Sequence, residues 1–191
     1  MKKPTLKEVF TIPNLLSYLR LILIPVFCWV YLTSQTQTQY NIAIAIVLIS
    51  SLTDLFDGWI ARTFHQVTEL GKVLDPVADK LTHAALALCL AVKHPLMWAL
   101  IALMAVKEGY MGIMGIKFLK KGKMLDGAMW FGKVCTATLF VGLMVLFVWH
   151  GMPDAAVNVL IVLMMAVMLA TLLMYVPQFK KMEEESVKSN R

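Results

Sequence analysis

The sequence predicts an all-α integral membrane protein with six transmembrane helices, and three observations support this prediction. Of the 191 residues, 59% are hydrophobic and only 16% are charged, whereas a soluble domain has about 25% charged residues. The apolar residues stand in long blocks instead of alternating with polar ones. Most of the charged residues lie between those blocks. A chain of this kind buries its apolar surface in lipid.

Six apolar blocks are long enough to cross a bilayer, which takes about 20 helical residues. The connections between them are short, so neighbouring helices must run antiparallel. We expect a basic juxtamembrane segment at residues 1–11, a six-helix membrane domain at 12–176 and a cytoplasmic tail at 177–191, which should be disordered over residues 180–191. The predicted spans are Asn14–Thr33, Tyr40–Ala61, Val73–Val92, Leu96–Leu119, Ala128–Trp149 and Ala155–Val176.

The basic residues predict the orientation of the helices. Thirteen lysines and arginines lie in the two tails, the second connection and the region of the fourth, against Lys93 alone in the other connections. Because cytoplasmic connections carry an excess of basic residues, both termini are predicted to be cytoplasmic, in a cell inner or plasma membrane. The net charge of +6 is spread along the membrane faces, so we expect membrane lipids and no nucleic acid as partners.

Besides the basic residues counted above, nine charged side chains fall inside the predicted spans. An ionisable residue near the bilayer centre costs at least about 2.5–3.5 kcal/mol, so such residues usually mark a site or a pathway. Ion pairs that hold helices together would explain one pair, but nine charges favour a polar cavity. The nine are Arg20, Asp54, Asp57, Asp75, Asp79, Lys80, Lys107, Glu108 and Lys133.

The densest cluster of these charges contains four aspartates. Asp54 and Asp57 are three residues apart, and Asp75 and Asp79 are four apart, so each pair lies on one helix face. The two helices are joined by a short loop, and their acidic faces can therefore meet at one depth. Four adjacent carboxylates repel one another unless cations lie among them. Magnesium or manganese suits carboxylate sites that also bind phosphates.

Residues between the aspartate pairs indicate a phosphate ligand. Gly58 allows a ligand to approach the backbone closely. The small side chain of Ala61, one turn further along the same helix face, leaves that space open. Arg62 offers a planar fork that matches a phosphate or diphosphate. Gly71 lies at the predicted start of the third helix, an end that favours anions.

This pattern resembles the signature of the CDP-alcohol phosphotransferase family at every position. The segments IPNLLSYLRLILIP and GKVLDPVADK are similar to the phosphatidylglycerophosphate synthase and cardiolipin synthase branch, and the resemblance extends from about Ile12 to Val176. The signature reads Asp54-x-x-Asp57-Gly58-x-x-Ala61-Arg62, eight further residues, and Gly71-x-x-x-Asp75-x-x-x-Asp79.

The resemblance implies transfer of a phosphatidyl group from CDP-diacylglycerol to an alcohol, with release of CMP. It implies two Mg²⁺ or Mn²⁺ ions, with Asp79 both near a metal and acting as the general base. The implied metal ligands are Asp54, Asp57, Asp75 and Asp79. The residues implied to bind the CDP-lipid are Asn14, Asp54, Gly58, Ala61, Arg62 and Gly71. The family is also commonly dimeric, so a homodimer is expected.

The acceptor alcohol stays open at this point. Glycerol 3-phosphate would need a basic pocket, for which Lys107, Lys117 and Lys133 are candidates. Lys107-Glu108 stands where the phosphatidylglycerophosphate synthases usually have arginine and glutamate. The alternatives are a cardiolipin synthase that uses phosphatidylglycerol and a synthase that uses a polyol phosphate such as inositol phosphate. More remote alternatives are a membrane prenyltransferase, whose aspartate spacing differs, and a cation transporter, whose acidic residues would form a path through the membrane.

Overall fold

A computed structural model of the chain describes residues 10–64, 68, 70–120, 129–149 and 151–188, without the side chains of residues 55, 62, 119, 120 and 184–188. Over these residues all the regular secondary structure is helical, so the all-α part of the predicted fold class is confirmed there. Residues 1–9 of the predicted juxtamembrane segment lie outside the described residues. The helices are α1 Ile12–Thr33, α2 Gln37–Thr63, α3 Gly71–Ala91, α4 Met97–Lys120, α5 Trp130–Val148 and α6 Asp154–Lys188.

Five of the helices, all except α3, are long and apolar enough to cross a membrane. The first half of α3 carries Lys72, Asp75, Asp79 and Lys80, which lowers its hydropathy although its length matches the others. Large apolar side chains point away from the protein along the helices; Trp29 is 72% exposed, for example. Exposed apolar surface of this extent fits contact with lipid.

Local sequence signals explain where α1 and α2 begin. Pro13 lies in the first turn of α1, where its missing N–H leaves no hydrogen bond unmade. At the start of α2, the Thr36 hydroxyl accepts from the Gln39 N–H at 3.4 Å, and the Gln39 side chain accepts from the Thr36 N–H at 3.2 Å. This reciprocal capping box satisfies two of the donors that a helix start leaves unpaired.

The expectation that the tail is disordered over residues 180–191 is wrong over residues 180–188. Helix α6 continues through Pro177 to Lys188, because extending an existing helix needs no new nucleation. Phe179 on this extension is fully buried, and the Nζ of Lys117 lies 2.7 Å from a carboxylate oxygen of Glu183. The aromatic contacts of Phe179, which sequence periodicity did not predict, hold the extension in place.

The chain forms two compact units, residues 1–89 and 90–191. In the first unit, α1 packs against α2. The buried face of α2 contains Ala43, Val47, Ser50 and Asp57, which follow the three- and four-residue spacing of a helix seam. This face is therefore apolar in the first half of α2 and carries a carboxylate in the second half.

The second unit has an aromatic core. Helix α6 packs against both α4 and α5, and Phe118, Phe131, Tyr175 and Phe179 form its buried cluster. The Phe131 and Tyr175 rings meet edge to face with centroids 4.6 Å apart, while Phe179 stacks on Phe118. Such aromatic pairs add about 0.5–1.5 kcal/mol each beyond the burial of their surface.

Candidate active site

Three polar residues of α1 face the start of α3 in the first unit. Asn14, Ser17 and Arg20 are spaced three residues apart and are all buried. Their partners on or just before α3 are Thr68, Asp75 and Asp79. Both sets advance in the same direction along the chain, so α1 and α3 run parallel at these contacts. We call this row of three contacts the polar ladder.

The first contact of the polar ladder holds the start of α3. The amide nitrogen of Asn14 donates to the Thr68 hydroxyl at 3.1 Å, and that hydroxyl accepts from the Gly71 N–H at 2.9 Å. A Cβ added at Gly71 would lie 2.8 Å from the Asn14 amide oxygen and 3.1 Å from the Thr68 hydroxyl. Only glycine therefore fits at this close approach.

The second contact joins Ser17 to Asp75. The Ser17 hydroxyl lies 2.6 Å from a carboxylate oxygen of Asp75 and 3.1 Å from the Pro13 carbonyl oxygen. Ser17 is completely buried, so this hydrogen bond fixes where the Asp75 carboxylate points.

The third contact is an arginine bound by three carboxylates. Nη2 of Arg20 lies 2.5 Å from Asp54 and 2.5 Å from Asp57, and Nη1 lies 2.6 Å from Asp79. Arg20 is only 2% exposed. The guanidinium thus connects the acidic face of α2 with the acidic face of α3. The contacts with Asp57 and Asp79 are hydrogen bonds, and a guanidinium is well suited to bind carboxylates in this way.

The four aspartates differ in how far they reach the surface. The Asp57 side chain is 4% exposed, whereas those of Asp54 and Asp79 are 40% and 43% exposed. The cluster is therefore closed on the Asp57 side and open on the side of Asp54 and Asp79.

The donor chemistry of this cluster suits a hard divalent cation, but its present arrangement does not. Carboxylate oxygens from two helices converge within one small volume, and magnesium prefers such ligands. Among the described residues, however, no three acidic, histidine or cysteine side chains are arranged to hold a metal ion as they stand. The Arg20 guanidinium occupies the volume on which Asp54, Asp57 and Asp79 converge.

The residues predicted to bind the CDP-lipid lie around this cluster. Asn14 and Gly71 meet at the first contact of the polar ladder, and Gly58 and Ala61 are part-exposed residues of α2 beyond Asp57. The backbone of Arg62 continues α2, but its side chain lies outside the described residues. Gly71, predicted as an anion site, also permits the close packing of Asn14.

The predicted acceptor lysines lie in the second unit. Lys107 is 9% exposed and pairs with Glu108 at 2.8 Å. Lys117 instead pairs with Glu183, and Lys133 is exposed. The three lysines thus have separate surroundings in the described structure. Lys121 and Lys123 lie outside the described residues.

Sequence reasoning missed the roles of Arg20, Ser17 and Thr68. The sequence marks Arg20 as a charge inside a span, but it does not indicate that Arg20 is the cation that lies among the aspartates. The available signal was the three-residue spacing of Asn14, Ser17 and Arg20 on one helix face. A polar stripe of this kind within an apolar helix indicates a polar partner.

Comparison with known proteins identifies the family. The family model of the CDP-alcohol phosphatidyltransferases matches residues 10–176, which include the polar ladder and all four aspartates. This chain belongs to the CDP-alcohol phosphatidyltransferase family. With its five apolar helices long enough to span a bilayer, it is a multi-pass membrane protein of that family.

Individual members of the family show the same relationship. A CDP-diacylglycerol–glycerol-3-phosphate 3-phosphatidyltransferase of Escherichia coli is 36% identical over 138 residues, which are 70% of this chain and 75% of that protein. The corresponding protein of Shigella flexneri matches to the same extent. A cardiolipin synthase (CMP-forming)/mitochondrial hydrolase fusion protein of Schizosaccharomyces pombe is 36% identical over 108 residues, 56% of this chain, and the match spans only 18% of that longer protein.

Proposed function

We propose that this protein transfers a phosphatidyl group from CDP-diacylglycerol to glycerol 3-phosphate, giving phosphatidylglycerophosphate and CMP. Membership of the family supports the reaction class. The Escherichia coli relative, whose length is largely covered, supports glycerol 3-phosphate as the acceptor. The observation that carries the proposal is the convergence of carboxylates from α2 and α3 on one cationic group in a chain of this family.

The proposed metal ligands are Asp54, Asp57, Asp75 and Asp79, with two Mg²⁺ or Mn²⁺ ions. Bound divalent cations would neutralise the diphosphate and the charge that develops on the CMP leaving group. Asp57 is buried and accepts a hydrogen bond from Arg20, so its carboxylate is held in one orientation. Ser17 orients Asp75 through its 2.6 Å hydrogen bond.

Asp79 is proposed as the general base. The acceptor hydroxyl oxygen would bond to the lipid-bearing phosphorus, the bond from that phosphorus to the CMP oxygen would break, and the hydroxyl proton would pass to the Asp79 carboxylate. The 43% exposure of the Asp79 side chain leaves it accessible to an incoming alcohol, whereas Asp57 is shielded. CMP would leave with the electron pair of the broken bond.

The CDP-lipid is proposed to bind along α2 and the start of α3. Gly58 and Ala61 would leave room for the nucleotide beside α2, and Arg62 would bind its phosphates. Gly71 and Asn14 would form the end of this site, where the Asn14 amide is already fixed by Thr68. A ligand there would meet a prearranged polar surface, which limits the ordering cost of binding.

An assay of CMP release tests this function directly. The purified full chain, in detergent with CDP-diacylglycerol and Mg²⁺, should release CMP fastest with glycerol 3-phosphate in a panel that also holds phosphatidylglycerol, inositol phosphate and glycerol. Release that is fastest with phosphatidylglycerol would instead identify a cardiolipin synthase, the candidate that the Schizosaccharomyces pombe relative favours. No CMP release with any alcohol would contradict the reaction class itself.

The acceptor pocket has its own test. Lys107 is proposed to bind the phosphate of glycerol 3-phosphate, with Lys117 and Lys133 contributing positive charge. Lys107→Met keeps the length of the side chain and removes its charge. We expect it to raise the KM for glycerol 3-phosphate by about 10- to 100-fold, the range for loss of a charged hydrogen bond. An unchanged KM would exclude Lys107 from the acceptor site.

Orientation and assembly complete the proposal. We propose cytoplasmic termini and a site that opens toward the cytoplasm, because basic residues gather on that predicted face. A reporter enzyme that works only in the cytoplasm should therefore be active when it is fused after Arg191. A reporter that works only outside the cytoplasm should be inactive there, and its activity would contradict this orientation. We also propose a homodimer, and native mass spectrometry from mild detergent should give twice the chain mass; a monomer mass would contradict it.

A further inference from the structure

Arg20 is buried in the first unit, where a positive charge needs anionic partners. It is 2% exposed, and two of its nitrogens contact the carboxylates of Asp54, Asp57 and Asp79. Its third nitrogen, Nε, is buried without a hydrogen-bond partner among the described residues. A buried arginine that leaves one donor unused is held by its carboxylate contacts alone, so its position is not fully satisfied.

The guanidinium and divalent cations need the same carboxylates. Magnesium would bind their oxygens at about 2.0–2.1 Å, while Nη1 and Nη2 of Arg20 lie 2.5–2.6 Å from them. Asp54, Asp57 and Asp79 are turned to the arginine, and the described residues offer no ready set of three ligands as they stand. A cation therefore has to separate these carboxylates from Arg20 before it can be held.

Charge balance gives the same result. Without metals, one guanidinium offsets part of the repulsion among four carboxylates, and this repulsion is strong where water is excluded. Two divalent cations would neutralise all four aspartates, and a guanidinium left among them would be repelled by both cations. Arg20 thus favours the metal-free arrangement and opposes the metal-bound one.

We propose that Arg20 is an internal counter-ion that occupies the metal position when metals are absent and is displaced when they bind. This inference rests on the proposed function, since it assumes that these aspartates are the metal ligands. Arg20 acts as a positioning residue: it keeps the two acidic faces together in the metal-free protein, and it lowers the affinity for divalent cations by competing with them. A purely structural role for Arg20 predicts the opposite, because loss of the arginine would then disorder the ligands and weaken metal binding.

Titration of Mn²⁺ into the full chain in detergent, followed by the electron paramagnetic resonance signal of free Mn²⁺, tests the proposal. Arg20→Met keeps the bulk of the side chain without its charge, and it should lower the Kd for Mn²⁺ by about tenfold or more. In EDTA the same variant should unfold at a lower temperature than the wild type, and Mn²⁺ should raise its Tm by more than it raises that of the wild type.

Two further variants make the result specific. Lys93→Met removes one positive charge beyond the C-terminal end of α3, and its Kd should stay within about twofold of the wild type. Arg20→Lys keeps the charge but loses the planar fork that reaches both acidic faces, so its Kd should fall between those of the wild type and Arg20→Met. This variant keeps the charge and serves if Arg20→Met does not fold.

The outcomes separate this inference from the proposed function. If the wild type binds Mn²⁺ and releases CMP, but neither Arg20 variant binds Mn²⁺ more tightly, the counter-ion role is wrong and the function stands. If the wild type binds no Mn²⁺, the proposed metal centre and the inference fail together. A tenfold tighter Kd in Lys93→Met as well would show a general charge effect and would also overturn the role of Arg20.

Discussion

Gly71→Ala tests whether the start of α3 is as tightly packed as the contacts indicate. The new Cβ would lie 2.8 Å from the Asn14 amide oxygen, 3.1 Å from the Thr68 hydroxyl and 3.9 Å from an Asp75 oxygen. Asn14 is 1% exposed, so its side chain has no solvent into which it can move. Relief of the overlap must therefore shift α1 away from α3 or rotate Asn14 out of its hydrogen bonds with Thr68.

The size of the effect follows from these two routes. Overpacking of a well-packed site costs about 1–3 kcal/mol, and a buried amide that loses its partner costs about 1–3 kcal/mol. The helix preference of alanine over glycine returns about 0.5–1 kcal/mol at most. We expect a net loss of about 1–3 kcal/mol, which for a chain of this size lowers the Tm by about 2–4 °C per kcal/mol. CMP release should fall as well, because Asp75 lies one turn further along α3.

A matched control is available in the second unit. Gly109 lies inside α4, and a Cβ added there meets no atom within 4 Å. Gly109→Ala should therefore leave the Tm unchanged or raise it slightly through helix propensity. Thermal unfolding of both variants in the same detergent, together with CMP release, completes the comparison. A Tm of Gly71→Ala at or above that of Gly109→Ala would refute the close-packing argument.

Three further predictions concern the chemistry and the second unit. Asp79→Asn should slow CMP release by about 10²–10⁴-fold, the usual contribution of a general base, while CDP-diacylglycerol binding persists; a near-normal rate would exclude Asp79 as the base. Chelation with EDTA should stop CMP release and Mg²⁺ or Mn²⁺ should restore it, whereas release that continues in EDTA would contradict the metal proposal. Gly132→Ala would drive a Cβ into the Tyr175 hydroxyl, whose ring is buried and rigid, whereas Gly142→Ala meets the flexible side chain of Met164. We expect Gly132→Ala to lower the free energy of unfolding by about 1–3 kcal/mol, and calorimetry should therefore show a larger decrease in Tm for this variant than for Gly142→Ala. Equal decreases would contradict this distinction.

The helices could be predicted because their signal is local. An apolar block of about 20 residues has to form a helix in lipid whatever its neighbours are. The end of α6 could not be predicted in this way, because its helical state depends on burial of Phe179 against Phe118 and Tyr175. Tyr175 lies one turn earlier on the same helix, but Phe118 lies on α4, far away in the sequence, and the polar residues that follow Val176 give no local sign of that contact.

The candidate site was predictable in part for the same reason. The three- and four-residue spacings of the aspartates placed each pair on one helix face, and the short connection between the helices brought the faces to one level. The partners of Arg20 lie 37 residues away at Asp57 and 59 residues away at Asp79. Which of several cations would lie among the carboxylates therefore depended on how α1 packs, and periodicity within one helix does not contain that information.

The sequence by itself determined that this chain is helical and lipid-embedded, and that its four aspartates and intervening glycines follow one family signature. Composition, hydrophobic block length and residue spacing are properties of neighbouring residues, so they can be read along the chain. Only the tertiary structure decided that α1 faces α3, that Ser17 orients Asp75 and that Arg20 lies among the aspartates. Those contacts join residues on different helices, and their geometry is fixed by helix packing and by the need of each buried charge for an opposite charge.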